Sequence, residues 1–396
     1  MLIDIDLLDR VSQDIPCYCF NTQSFCKNIE RIRALLGNTI KLKYSVKANP
    51  FFIQTALEHM DGLEICSLGE LFLAVSGGVR PEEILYGGVC KEKGDIVVAL
   101  KEGVRKFSVE SLYQLKQIDA AASECAVDVE VLLRISAGNQ FGMDMQELRE
   151  CFAVHSMGHI RIKGLHYYPG PMRMTDEEIQ KDYEQFSVIL DGLRSFKIDE
   201  IEYGCGIGID YYGNPMQWRL AEHIADPLKA MSKQHTVILE LGRLVAADAG
   251  LYIARVVEIR KNGNRLFVII NGGRHHFTYH GGIMTLGKRV PRLSVIQRRA
   301  SSAKIKATIV GSLCNPGDIL ANDIEIPAVR EGDYIIFHNA GAYCNTEGTA
   351  LFLSRDLPAI LFTDGEGVQV WRRRNIFEWL KNIYYQEEKC NERKIL

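Results

Sequence analysis

Between residues 40 and 241 short apolar runs return at intervals that leave room for one helix each, and this alternation restricts the fold more than any other feature of the chain. The runs fall at 40–48, 63–66, 84–86, 106–109, 129–135, 162–168, 200–203 and 237–241, with helical spacing between many of them, at 50–59, 68–75, 111–121 and 177–194. Eight strands separated in this way predict a parallel (β/α)8 TIM-type barrel, which needs about 250 residues. From about residue 250 the texture becomes strands bounded by turn signals such as Asn262-Gly263-Asn264. The expected organisation is therefore a barrel over 22–248, and a mostly β second domain built from 1–21 and 249–396.

Composition narrows the partner. The 47 basic and 50 acidic residues are intermixed and leave a net charge of −3, so no basic face is offered to nucleic acid or anionic lipid. No run of apolar residues is long enough to span a bilayer, and Asp4 and Asp6 stand where a secretory leader needs basic residues, which predicts a soluble, cytoplasmic protein acting on a small molecule. The eleven cysteines, from Cys17 to Cys390, lack paired metal spacing, and most are expected to be reduced core thiols, with no metal site. The basic run Arg372-Arg373-Arg374 is expected on a solvated surface.

Five stretches hold residues suited to chemistry. Tyr44-Ser45-Val46-Lys47-Ala48-Asn49 ends a strand, and a lysine at the carboxyl end of a barrel strand can form an imine with a carbonyl, although a solvated lysine is the commoner reason for one there. Tyr203-Gly204-Cys205-Gly206-Ile207-Gly208 follows a later strand, where backbone amides can close on a phosphate or simply make a tight turn. It lacks the early βαβ setting of a dinucleotide fold. Glu240-Leu241-Gly242-Arg243 places an acid and a fixed cation at the last strand's end, able to protonate-lock a pyridine nitrogen and neutralise a phosphate, or to form an ordinary ion pair. In the β-rich half, Cys314 lies in the turn-rich loop 311–318, and Tyr343 follows Asn339-Ala340-Gly341-Ala342. Each could equally be a packed residue.

Taken in order from about Pro16 to about Val370, these segments resemble the fold-type III pyridoxal-phosphate decarboxylases of diaminopimelate, ornithine and arginine. The resemblance implies an alanine racemase-like fold and pyridoxal 5'-phosphate as cofactor. It implies Lys47 as the Schiff-base lysine, Glu240 as the partner of the pyridine nitrogen, and Gly206, Gly242, Arg243 and Tyr343 as phosphate contacts. Cys314 becomes the acid that protonates the product carbon, on a loop that enters the neighbouring subunit's site, which implies a homodimer.

The departures sharpen the expected substrate. Tyr168 stands where the better-known members stack a histidine on the cofactor, Pro171 where a phosphate-binding serine is usual, and Leu241 where a proline is common. Asn315 replaces the acid that follows the cysteine and helps hold a distal amine. Tyr168, Leu241 and the run Asn271-Gly272-Gly273-Arg274-His275-His276 are similar to a subgroup with the butirosin-pathway and siderophore decarboxylases, which act on amino acids joined to a carrier protein or citrate. The histidine pair is read as packing or surface residues. A conjugated amino acid is thus the expected substrate, with a free diamino acid such as diaminopimelate as the alternative. A racemase would need a second-face base and would lack the Cys314 to Asp318 signature, and a non-catalytic relative would be expected to have lost Lys47 or Cys314.

Overall fold

The computed structural model describes residues 3–154, 158–213, 216–279, 290–350, 352–365 and 367–373. They divide into two compact units, one of 21–250 with 339–346, the other of the remaining segments. A first strand, β1 (Cys17–Asn21), precedes the eight strands that close the barrel: β2 (Lys41–Ser45), β3 (Leu63–Ile65), β4 (Ile84–Tyr86), β5 (Lys106–Val109), β6 (Val129–Ile135), β7 (Ile160–Tyr167), β8 (Glu200–Gly204) and β9 (Thr236–Leu241). All neighbours are parallel, and β9 closes on β2 through the register Lys43 to Glu240. The expected barrel is present, strand for strand, because each apolar run was bounded by its own turn residues.

Within the strands the two parities divide the labour. Tyr44 meets Phe25 of the helix Thr22–Leu36 edge to face at 5.4 Å, and Tyr167 stacks on Phe186 of the helix Asp176–Gly192 at 4.9 Å, so this parity faces the helical layer. The other parity faces the interior and is polar. Lys43 of β2 reaches Glu202 of β8 at 3.2 Å across the intervening β9, and Ser108 of β5 reaches His166 of β7 at 2.7 Å across β6. Side-chain oxygens of Asn21, Ser67, Ser111 and Thr175 cap the helices that follow, the last in a full capping box with Glu178. The helix Gln217–Met231 was hidden in the sequence partly because it tolerates Pro227 in its interior.

The second unit is a nine-stranded sheet. Its later strands are β10 (Gly250–Asn262), β11 (Arg265–Ile270), β12 (Leu293–Ile296), β13 (Lys304–Val310), β14 (Ile319–Pro327), β15 (Tyr334–Phe337), β16 (Ala359–Thr363) and β17 (Val368–Arg372). The order is β14-β13-β11-β10-β1-β16-β17, with β15 pairing β10 and β12. Cys17 and Cys19 of β1 are buried in its core beside Leu8, Ile253 and Ile336. Of the basic run, Arg373 pairs with Asp14 at 3.1 Å, Arg372 donates to the Pro358 carbonyl at 2.8 Å, and Arg374 lies outside the described residues. Among the described residues no helix is long and apolar enough to cross a membrane.

Candidate active site

At the carboxyl end of the barrel the strands deliver the predicted residues to one cleft of about 480 Å³, open mouth included. Lys47, Tyr168, Gly206, Glu240, Gly242, Arg243 and Tyr343 all line it. Strand β2 stops at Ser45, and a 3₁₀ turn over Val46–Ala48 then lifts Lys47 into the mouth, where its side chain remains 41 % exposed. Its Nζ lies 2.7 Å from Glu64 Oε2 and 3.7 Å from Cys66 Sγ, and the Cys66 thiol donates to Glu64 Oε1 at 2.9 Å. The enclosing walls disfavour a charge on Lys47, but Glu64, Cys66 and Glu240 outweigh them and hold its pKa well above the ordinary value. Glu64 is therefore placed to take up a proton that the lysine must lose before it can attack a carbonyl.

On the adjacent strand β9, Glu240 is buried. Its Oε1 stands 3.3 Å from His166 Nε2 yet accepts no hydrogen bond. Burial works against its charge, but His166, Lys47 and Arg134 prevail and bring its pKa down to about 2. His166 is itself oriented by Ser108 through Nδ1. Burial pushes the nearby Glu202 up to about 8 despite Lys43, with Glu240 adding to the rise. One carboxylate is thus kept charged at the mouth while its neighbour below favours the neutral form.

The glycine loop after β8 has room for nothing larger. Gly206 has φ +61°, and a Cβ there would fall 1.9 Å from the Gly170 carbonyl oxygen; one on Gly204 would fall 2.6 Å from the Tyr168 ring and 3.1 Å from Glu240 Oε2. Arg173 N donates to the Gly206 carbonyl and Gly208 N to the Arg173 carbonyl, both at 2.9 Å, and Arg173 is anchored on Asp182 at 2.5 Å. The Arg243 guanidinium bonds Tyr211 Oη and lies 4.3 Å from the Tyr343 ring centre. Tyr343 belongs to the segment 339–346, which returns to the barrel: Tyr343 N donates to the Ala48 carbonyl at 2.7 Å, and Asn49 Nδ2 to the Gly341 carbonyl at 2.9 Å.

Cys314 belongs to the other unit, where it is exposed in the β13–β14 loop. His275 and His276 are both buried, their rings 3.7 Å apart, so neither is a surface residue. Glu64, Cys66, His166 and Arg173 were not among the residues expected at the site from the sequence. A charged residue between Leu63 and Ile65, and a histidine within an apolar strand, were the signals that could have found two of them.

These residues fit a phosphorylated pyridine aldehyde. Glu240 Oε1 is an orphaned buried acceptor suited to a ring N–H, the glycines leave a cradle that side chains would fill, Arg243 could neutralise a phosphate, and Lys47 could hold the aldehyde. Fold and cleft together define a barrel enzyme of the pyridoxal-phosphate class. More particularly, the chain belongs to the pyridoxal-dependent decarboxylases, whose pyridoxal-binding domain model matches residues 22–247. It is an amino acid decarboxylase, and pyridoxal 5'-phosphate is its cofactor. The chain is similar to an L-glutamyl-[BtrI acyl-carrier protein] decarboxylase of Niallia circulans (25 % identity, 91 % of each chain). It is as similar to a diaminopimelate decarboxylase of Aquifex aeolicus (26 %, 92 % of this chain and 90 % of the relative). A third relative is the 2-[(L-alanin-3-ylcarbamoyl)methyl]-2-hydroxybutanedioate decarboxylase of Staphylococcus aureus (24 %, 90 % and 96 %). Its fold matches that of Helicobacter pylori diaminopimelate decarboxylase solved with L-lysine, at a TM-score of 0.84 and 23 % identity over 95 % and 98 % of the two chains.

Proposed function

We propose that the protein removes the α-carboxylate from an amino acid whose distal end is joined to a larger group, and that it works as a cytoplasmic homodimer. In this reading Lys47 holds the cofactor aldehyde, Tyr168 covers the ring, Glu240 keeps the ring nitrogen protonated, and Gly206, Gly242, Arg243 and Tyr343 receive the phosphate. The cofactor, when bound, supplies the sink for the electron pair left by departing carbon dioxide. Glu64 takes the proton from Lys47, and Cys314 of one subunit gives a proton to the α-carbon in the site of the other.

One observation carries the choice of substrate: the loop around Cys314 offers no free carboxylate. Asn315 stands in the place of an acid and its Oδ1 accepts from Gly317 N at 2.8 Å. The next acid, Asp318, is buried and spends both oxygens on the backbone amides of Arg274 and Leu313, at 2.7 and 2.8 Å. A distal ammonium enclosed there would lack its ion pair, a loss of about 3–5 kcal/mol. The relatives that act on a carrier-bound glutamyl group and on a hydroxybutanedioate conjugate support the same choice. The test is carbon dioxide release from free diamino acids, citrate-type amides and carrier-bound amino acids. A conjugate is expected to have the highest kcat/KM, and diaminopimelate turning over faster than every conjugate would sink the reading.

The shared site has its own test. Cys314→Ala is expected to keep the cofactor's absorbance while losing amine formation by on the order of 10²-fold or more. Mixing inactive Lys47→Ala and Cys314→Ala subunits should restore part of the activity, because a heterodimer contains one site with both residues. No recovery, with subunit exchange shown by mass spectrometry, removes Cys314 from the neighbouring site.

A further inference from the structure

The loop of Cys314 does more than lack an acid. The turn 272–275 packs directly on it, and the stretch at Gly348 packs on that turn. Ser312 N donates to the Gly272 carbonyl at 2.8 Å, Asp318 Oδ1 accepts from Arg274 N, and Gly348 lies so close to the turn that a Cβ there would fall 2.7 Å from the His275 carbonyl oxygen. Arg274 lays its guanidinium along this loop, Nη1 donating to the Gly317 carbonyl at 3.1 Å, three residues after Cys314. Its Nε is buried without a hydrogen-bond partner. Arg355 is the second cation, on an exposed stretch that the contact of the Asp356 carbonyl with His276 Nε2 at 2.6 Å ties to this turn; it and Arg274 both act on Asp318, and Arg355 acts on His275. Neither guanidinium forms an ion pair among the described residues. His275 is 1 % exposed with both ring nitrogens lacking a partner, while His276 bonds Tyr252 Oη and the Asp356 carbonyl.

Resting on the reading that the substrate is a conjugate, we propose that Arg274 and Arg355, with His275 as a neutral donor, form a subsite for an anionic distal group, a carboxylate or a phosphate, and so select which conjugate is decarboxylated. The physical reason is charge. Where an acid after the cysteine would give the loop a negative charge matched to an ammonium, this loop has a neutral Asn315 with a positive Arg274 fixed against its next turn, and the one nearby carboxylate, Asp318, is shared between two guanidinia and already accepts from two backbone amides. Two unpaired guanidinia and an unpartnered imidazole are donors that an oxyanion satisfies and that an ammonium cannot. Burial, with the repulsion of Arg355 added, lowers His275 to about 4, which keeps it neutral at working pH with one N–H to give. Partly buried and already held by Gly317, Arg274 loses little freedom on receiving the group.

The test uses the holoenzyme and one diamino acid acylated at its distal amine with caps of equal length ending in carboxylate, phosphonate, methyl or ammonium. Wild type is expected to prefer an oxyanion cap over the methyl cap by on the order of 10- to 100-fold in kcat/KM, mostly through KM, and to use the ammonium cap least. Preference for the carboxylate points to a polycarboxylate conjugate, and preference for the phosphonate to a phosphate-bearing carrier arm. Arg274→Gln and Arg355→Gln should each bring the oxyanion-to-methyl ratio toward one, and Arg274→Lys should restore part of it. Arg355 is exposed, so its variant tests the subsite without endangering the fold. Equal use of all caps, or a preference unchanged in both glutamine variants, overturns the subsite and leaves the conjugate reading standing. Turnover of free diamino acids alone overturns the conjugate reading instead.

Discussion

Lys47→Ala is expected to lower decarboxylation by about a thousandfold or more, the range for losing a group that makes and breaks bonds with the reacting centre, and to abolish borohydride trapping of the cofactor on the protein. The expectation rests on placement. Lys47 Nζ stands at the cleft with Glu64 Oε2 at 2.7 Å to receive its proton. Lys43 is buried with its Nζ 3.2 Å from Glu202, and Lys91 is buried and spends its ammonium on Gly88, Ser108 and Gln114. Neither can replace it. The substitution leaves the buried Glu64 without its cation, so circular dichroism accompanies the assay to show that the fold is intact. A borohydride-stable adduct in the variant, located on another lysine by peptide mass, would move the attachment site elsewhere.

Glu240→Gln is expected to lower kcat by about 10²–10³-fold, as when a preorganised electrostatic partner of the developing charge is removed. The carboxylate is buried, with Oε1 lacking a hydrogen bond, and an amide in its place cannot keep a ring nitrogen charged. The pH dependence follows from its pKa of about 2, below the ordinary 4.5. An acid depressed in the folded state contributes stability that is full above the unfolded value of 4.5 and is lost as pH falls toward 2. The wild-type advantage over Glu240→Gln in urea midpoint should therefore be constant above about pH 5 and shrink between about pH 4.5 and 2. Nor should Glu240 produce an acid limb in the activity profile near neutrality. A stability difference that grows on acidification in that window would show that Glu240 is not held ionised by His166, Lys47 and Arg134.

The barrel was legible because its information is local. Each strand is a short run such as 129–135 or 237–241, closed by its own turn and followed by its own helix, and parallel crossovers then admit few other arrangements. The same locality made several cleft residues visible. Lys47, Gly206, Glu240, Gly242 and Arg243 sit immediately at or after strand ends, and in a closed parallel barrel every such end opens on one mouth. No three-dimensional knowledge was needed beyond that rule.

What the sequence by itself determined is therefore the strand count, their direction and the residues at their ends. Only the tertiary structure decided which side chains meet. Tyr343 follows β9 by about a hundred residues and reaches the cleft because Gly341 and Tyr343 bond back to Ala247 and Ala48. His166 faces Glu240 across β8, and Glu64 faces Lys47, because barrel register fixes which parity points inward, and a shift of one residue would exchange the two faces. Around Cys314 the pattern of the loop was readable, but that Asp318 is consumed by the amides of Arg274 and Leu313 was not. Periodicity records which face a residue takes, whereas the partner on that face comes from segments distant in sequence, brought together only when the sheet closes.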